Sequence, residues 1–237
     1  MPTIKKKGYA STKQSEQEII TLAHTISAFM AKYRKQFVTV LSVFAGVIVL
    51  AAGYAVIRVH QEQKAAPLVA AAYEYYNPSN GSSGDYNKAL AQFREAQTKY
   101  AGTKSAAIAQ YYVGNSLVNL GQPDEALKAY QLFIKDYSGN KFLLGLVYQR
   151  MGYVYRGLGR QDDARKAFEQ SEALTGPGAA TVELAHLADA AGNGPEAEKR
   201  YTTILEKLSG TNWSLEAMSK VQKIAPVPQP VAGKEPK

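Results

Sequence analysis

Four copies of one frame (glycine, four residues, alanine, three residues, aromatic) constrain this chain more than any other feature. They are Gly84–Ala89–Phe93, Gly121–Ala126–Tyr130, Gly159–Ala164–Phe168 and Gly192–Ala197–Tyr201. Successive alanines lie 37, 38 and 33 residues apart. Self-similarity at such a period marks stacked units that bury a continuous core only by packing on their neighbours. A helix-turn-helix unit accounts for each residue type. The glycines 121, 159 and 192 end a first helix, because glycine takes a left-handed conformation at little cost. Asp124, Asp162 or Pro195 opens the second helix. The alanine keeps the two helices close, and the aromatic one turn later fills the space between one repeat and the next.

The first halves of the units agree. The third reads Tyr148-x2-Met151-Gly152-x2-Tyr155 and the second Gln110-x2-Val113-Gly114-x2-Leu117. The fourth reads Thr181-x2-Leu184-Ala185-x2-Ala188, while the first has Asn77 at the glycine's place, before the loop Pro78 to Gly84. This resembles the tetratricopeptide repeat (TPR), with its W-x2-L-G-x2-Y pattern and period of about 34 residues. Gly114 and Gly152 are expected where a first helix approaches its second. The predicted fold is all-α: an N-terminal transmembrane helix, then a TPR-type α-solenoid of about four repeats. These run over about 65–101, 107–138, 145–176 and 178–209, with a capping helix at 212–224 containing Trp213, Leu215, Met218, Val221 and Ile224. A helical bundle is the alternative. Residues 225–237 carry Pro226, Pro228, Pro230 and Pro236 and are expected as an extended, disordered tail.

Residues 37–57 read FVTVLSVFAGVIVLAAGYAVI, without a charge. A helix of that length spans roughly 30 Å, the depth of a bilayer's hydrocarbon core. The 36 residues before it and its own length argue against a cleaved signal peptide. Of the formal net charge of +8, most lies at the start, where Lys5, Lys6, Lys7, Lys13, Lys32, Arg34 and Lys35 precede the run. The positive-inside bias then predicts a cytoplasmic segment 1–36 and a domain 58–224 beyond the membrane, periplasmic in a bacterium. Ile19, Leu22, Ile26, Phe29 and Tyr33 recur at helical spacing, giving a short amphipathic helix from about Ser15. It would lie on the membrane surface or dock a cytoplasmic partner.

Little points to chemistry. There is no cysteine, hence no disulfide, thiolate site or lipoprotein anchor. His24, His60 and His186 stand at no metal-binding spacing, and no phosphate-loop motif occurs. The expectation is no enzyme, no cofactor, no metal, no nucleic acid and no small-molecule substrate. Acid pairs such as Asp124-Glu125 sit where a helix dipole favours them. What remains is the concave face that solenoids use to bind proteins. Its expected residues are Ile108, Tyr111, Asn115, Val118 and Asn119 from the second repeat. The third supplies Leu146, Gln149, Tyr153 and Arg156, and the fourth Val182, His186 and Asp189. Tyrosines, amides and a few apolar groups suit peptide segments; the competing reading is that another part of this chain covers them.

A basic start, a single N-terminal anchor and TPR frames close behind it resemble the YfgM family of bacterial inner-membrane proteins. The resemblance implies a periplasmic domain accompanying the SecYEG translocon. It also implies partnership with a membrane-anchored chaperone of the PpiD type in handling exported proteins. Alternatives are a scaffold subunit of another envelope complex (secretion, division or respiratory assembly) and a mitochondrial import receptor with its repeats in the cytosol.

Overall fold

A computed structural model describes residues 9–224, and side-chain surroundings from Ile19 onward. The expectations for Lys5, Lys6 and Lys7, and for the tail at 225–237, lie outside the described residues. Within them there are ten helices and no strand, so the all-α prediction holds. Two compact units divide after Val59.

The first unit holds α1 (Tyr9–Lys32) and the start of α2 (Arg34–Tyr76). Tyr33 interrupts neither backbone ladder: its N–H donates to Phe29 and its carbonyl accepts from Phe37. Apolar residues of α2 stand in the open, Leu50 at 75% exposure. Among the described helices α2 is the one long and apolar enough to cross a membrane, with a mean hydropathy of 2.5 over its best window.

The second unit begins inside α2, at His60. From there Ala65, Val69 and Ala72 are buried, at helical steps of four and three. Val69 and Ala72 share one core with Phe93 of α3 (Tyr86–Lys99) and Val113 of α4 (Lys104–Asn119). The array continues with α5 (Pro123–Tyr137), α6 (Lys141–Gly157), α7 (Gln161–Thr175), α8 (Ala179–Ala190), α9 (Gly194–Lys207) and α10 (Asn212–Ile224). From α3 on, each helix packs on the next, and α6 also meets α4. Contacts between neighbours are the signature of a solenoid.

Three of the four expected turns share one closure. Gly121, Gly159 and Gly192 take φ of +70°, +74° and +70°. The next residues, Gln122, Arg160 and Asn193, donate their N–H back to Leu117, Tyr155 and Ala188 at 2.9 Å. This is the six-to-one hydrogen bond of a Schellman cap, which satisfies an otherwise orphaned carbonyl. Gly84 departs from that role. Its φ is not positive, and a Cβ there would lie 2.3 Å from the Tyr76 carbonyl oxygen, so it allows a loop to pass close to the end of α2. Asn77, matched to the helix-facing glycine by count, falls past the end of α2, because the first repeat's loop is longer than the others.

The two helix-facing glycines stand where expected. A Cβ on Gly114 would sit 2.2 Å from Tyr130 Cε1, and one on Gly152 2.5 Å from Phe168 Cε1. Each aromatic therefore lies over the glycine of its own first helix as well as between repeats. Phe168 shares its cluster with Ala180 and Leu184 of the following repeat.

Candidate protein-binding groove

The end of α2 and the first helices α4 and α6 line an open groove of about 430 Å³. Helix periodicity puts these residues on one face: Asn115, Val118 and Asn119 on α4, and Arg150, Tyr153, Val154 and Gly157 on α6, with Leu158 just past its end. Tyr76 closes the α2 side, and its hydroxyl accepts a hydrogen bond from Asn119 Nδ2 at 3.1 Å. Val118 is 40% exposed and supplies apolar contact.

Of the expected residues, Asn115, Val118, Asn119 and Tyr153 come together here. Ile108 is exposed on α4, and Leu146 and Gln149 are half-buried on α6, outside this lining. Two expectations need correction. Tyr111 is 7% exposed and Asn115 4%, so neither offers a free side chain. The Asn115 carboxamide oxygen accepts from the buried Tyr130 hydroxyl at 2.7 Å; leaving that hydroxyl unpaired would cost more than exposing the amide could gain. Tyr111 lies beneath Arg150, whose Nε donates to its hydroxyl at 3.2 Å.

The fourth repeat also differs from its expectation. Val182 is buried at 6% exposure in a core with Tyr201 and Ala217. His186 Nε2 lies 2.9 Å from Glu216 of α10, and Asp189 accepts from Lys220 of the same helix. The capping helix thus occupies the partners of this stretch, as the self-covering reading allowed. Arg156 pairs with Glu183 and lies over the Tyr153 ring at 5.4 Å. With His186 it belongs to a separate cleft of about 470 Å³ against α7, α8 and α9.

Counting from the repeat frame missed Tyr76 and Arg150. Tyr76 was hidden by the longer first loop, which shifts the frame off the helix. Arg150 stands one residue past the expected Gln149, and a tally of charges along α6 would have flagged it.

The groove's electrostatics are simple. Burial raises the pKa of Tyr76, Tyr130 and Tyr153, keeping them as neutral hydroxyls. For Arg150 burial works against the charge, but the Tyr111 hydrogen bond and the neighbouring phenols of Tyr111, Tyr130 and Tyr76 together outweigh it, and the guanidinium stays protonated. No cluster of three or more potential metal ligands occurs among the described residues.

Residues 108–140 and 146–175 each match tetratricopeptide-repeat families. No curated protein matches the chain. Solved structures similar to it include a tetratricopeptide repeat protein from Parabacteroides merdae ATCC 43184, with 16% identity and a TM-score of 0.56. That match covers 68% of this chain and 60% of the other, so the chain spans under two thirds of that relative. A second is a Podosopora anserina protein of nearly identical TPR-like repeats, described as a kinesin light chain. It shows 17% identity and a TM-score of 0.52, covering 69% of this chain and 86% of that one. At such identities the likeness concerns the fold. Family matches show that residues 108–140 and 146–175 are tetratricopeptide repeats, and the neighbours and repeated closures agree on an all-helical, solenoid-like fold around them.

Proposed function

We propose that the chain is a non-enzymatic protein-interaction module held at the bacterial inner membrane, its repeats in the periplasm beside the Sec translocon. Tetratricopeptide repeats already indicate a protein-protein interaction module. One observation carries the membrane part: the apolar stretch of α2 stands open to its surroundings, whereas past it only one face of the helix, Ala65, Val69 and Ala72, is buried. An exposed run of that length and hydropathy is stable in lipid and prone to aggregate in water. The basic residues Lys32, Arg34 and Lys35 at its start favour a cytoplasmic N-terminus. The partners in this reading are the bilayer, SecYEG and a PpiD-like chaperone, which follow from the resemblance to the YfgM family. Tyr76, Val118, Asn119 and Tyr153 are the contact surface offered to protein segments.

Protease added to the outer face of spheroplasts should remove the repeats and leave roughly the first 60 residues protected. Protected repeats would overturn the orientation. A photo-crosslinker at Val118 in intact cells should capture the translocon or a membrane-anchored chaperone. Capture of division or respiratory subunits instead would move the chain to another envelope complex.

A further inference from the structure

Arginines in the second half of the array follow a rule that one of them breaks. Arg156 is paired with Glu183, Arg160 with Asp163, Arg165 with Asp162, and Arg200 with Glu172 and Glu196. Arg150, among the described residues, has no carboxylate in salt-bridge reach; its electrostatic neighbours are the phenol groups of Tyr111, Tyr130 and Tyr76. It lines the α4–α6 groove, and no acid lines that groove with it.

Arg150 is solvent-exposed at the rim of this open groove, and a segment laid against the apolar and aromatic walls would cover it; a charge-assisted pair covered in that way is stronger than one in bulk solvent. The fork is held in place. Its Nε is committed to the Tyr111 hydroxyl, which leaves the two terminal nitrogens to meet a ligand. Two parallel donors fit the two oxygens of a carboxylate. Around it, Val118, Tyr76 and Tyr153 supply the apolar and aromatic area that a peptide backbone and its side chains can cover.

We infer that the groove takes an extended segment of a partner protein and fixes an aspartate or glutamate side chain of that segment on Arg150. This rests on the peptide-binding reading of the groove. Arg150 stands at the α6 wall of the groove, opposite Tyr76 and Asn119, where a side-chain carboxylate of a segment lying along α4 and α6 meets it. Tyr111, although buried, becomes the residue that positions the arginine.

The test uses the full chain in mild detergent over an array of short peptides. Each carries an amidated C-terminus and is printed twice: once with Asp or Glu, once with the Asn or Gln twin. The acidic member of a bound pair should retain about tenfold more protein than its twin, the scale of one charge-assisted contact. Arg150→Gln should bring that ratio to about one while neutral peptides bind as before; Arg150→Lys, with charge but no fork, should keep part of it. A ratio near one for the unaltered chain, or a ratio unchanged in Arg150→Gln at equal helical content by circular dichroism, overturns the carboxylate contact and leaves the groove reading standing. No binding to any peptide overturns both. If only a chain ending at Ile224 binds, the protein's own tail fills the site and the partner proposal falls.

Discussion

At the scale of single residues, the sequence is clearest where a side chain is missing. Gly114 and Gly152 read as close-contact positions because the repeat frame puts them where a first helix meets its second; in the structure a Cβ at either would overlap the ring of Tyr130 or Phe168. Gly114→Ala should therefore destabilise the array by about 1–3 kcal/mol, the range for overpacking a well-filled contact. Urea unfolding of the solubilised chain would measure it, and an unchanged midpoint would mean that the Tyr130 ring swings away at little cost. Tyrosines offer a second test. Burial raises the Tyr112 pKa to about 12, from an ordinary value near 10. The unfolded chain ionises first, so stability is whole below pH 10 and falls as pH rises toward 12. Tyr112→Phe should lessen that alkaline loss, the remainder belonging to Tyr76, Tyr130 and Tyr153, and a parallel pH profile of melting for both proteins would contradict it. What the sequence concealed at this scale was direction. Tyr111 and Asn115 occupy groove positions by count, yet Arg150 covers the hydroxyl of the first and the buried Tyr130 claims the amide oxygen of the second. Spacing tells which face of a helix a residue is on, not which neighbour reaches its hydrogen-bonding group first.

At the scale of elements, the repeats were legible because their turns are chemically identical, with a glycine at positive φ closing each of three first helices. The first repeat was harder to read because its first helix is the tail of α2, with no helix-facing glycine of its own. How that tail is fastened was not visible either, since it depends on a residue just beyond the apolar run. The Glu62 carboxylate accepts hydrogen bonds from Lys104 N at 2.7 Å and Ser105 N at 3.1 Å. Thr103 Oγ1 accepts from Ala106 N, and the Thr103 carbonyl from Ala107 N, so the four leading N–H groups of α4 are all satisfied. A helix N-terminus leaves these donors orphaned unless something caps them, and a negative charge there also meets the helix dipole favourably. Glu62→Ala should cost about 1–2 kcal/mol, with Glu62→Gln losing less. Hydrogen exchange at Lys104 and Ser105 should quicken in the alanine variant before it quickens in α8. Uniform acceleration along the array would mean that Glu62 stabilises the whole fold and does not act as a local clasp.

At the scale of the whole molecule, the division after Val59 separates a stretch that water does not suit from a unit with its own buried core. Nearest-neighbour packing makes that unit's stability a sum over adjacent helices, and an array loses most at an end stripped of its cover. Residues 60–76 supply that cover. Val69 and Ala72 lie in the same core as Leu90 and Phe93, and Tyr76 meets Tyr112 edge-on at 5.1 Å. A fragment of residues 60–224 should therefore fold in water without detergent, since the exposed run at 37–57 is gone. A fragment of residues 79–224 leaves Phe93 and Leu90 uncovered on one side. Exposing two such side chains costs roughly 2–3 kcal/mol each when burial is lost completely, and about half of that for one open face. The shorter fragment should unfold at lower urea by about 2–3 kcal/mol, and its α3 and α4 should exchange their amide hydrogens ahead of α6 to α9. Equal midpoints for the two fragments would show that the last turns of α2 lie beside the array without supporting it. The tie between apolar helix and repeats would then be covalent alone.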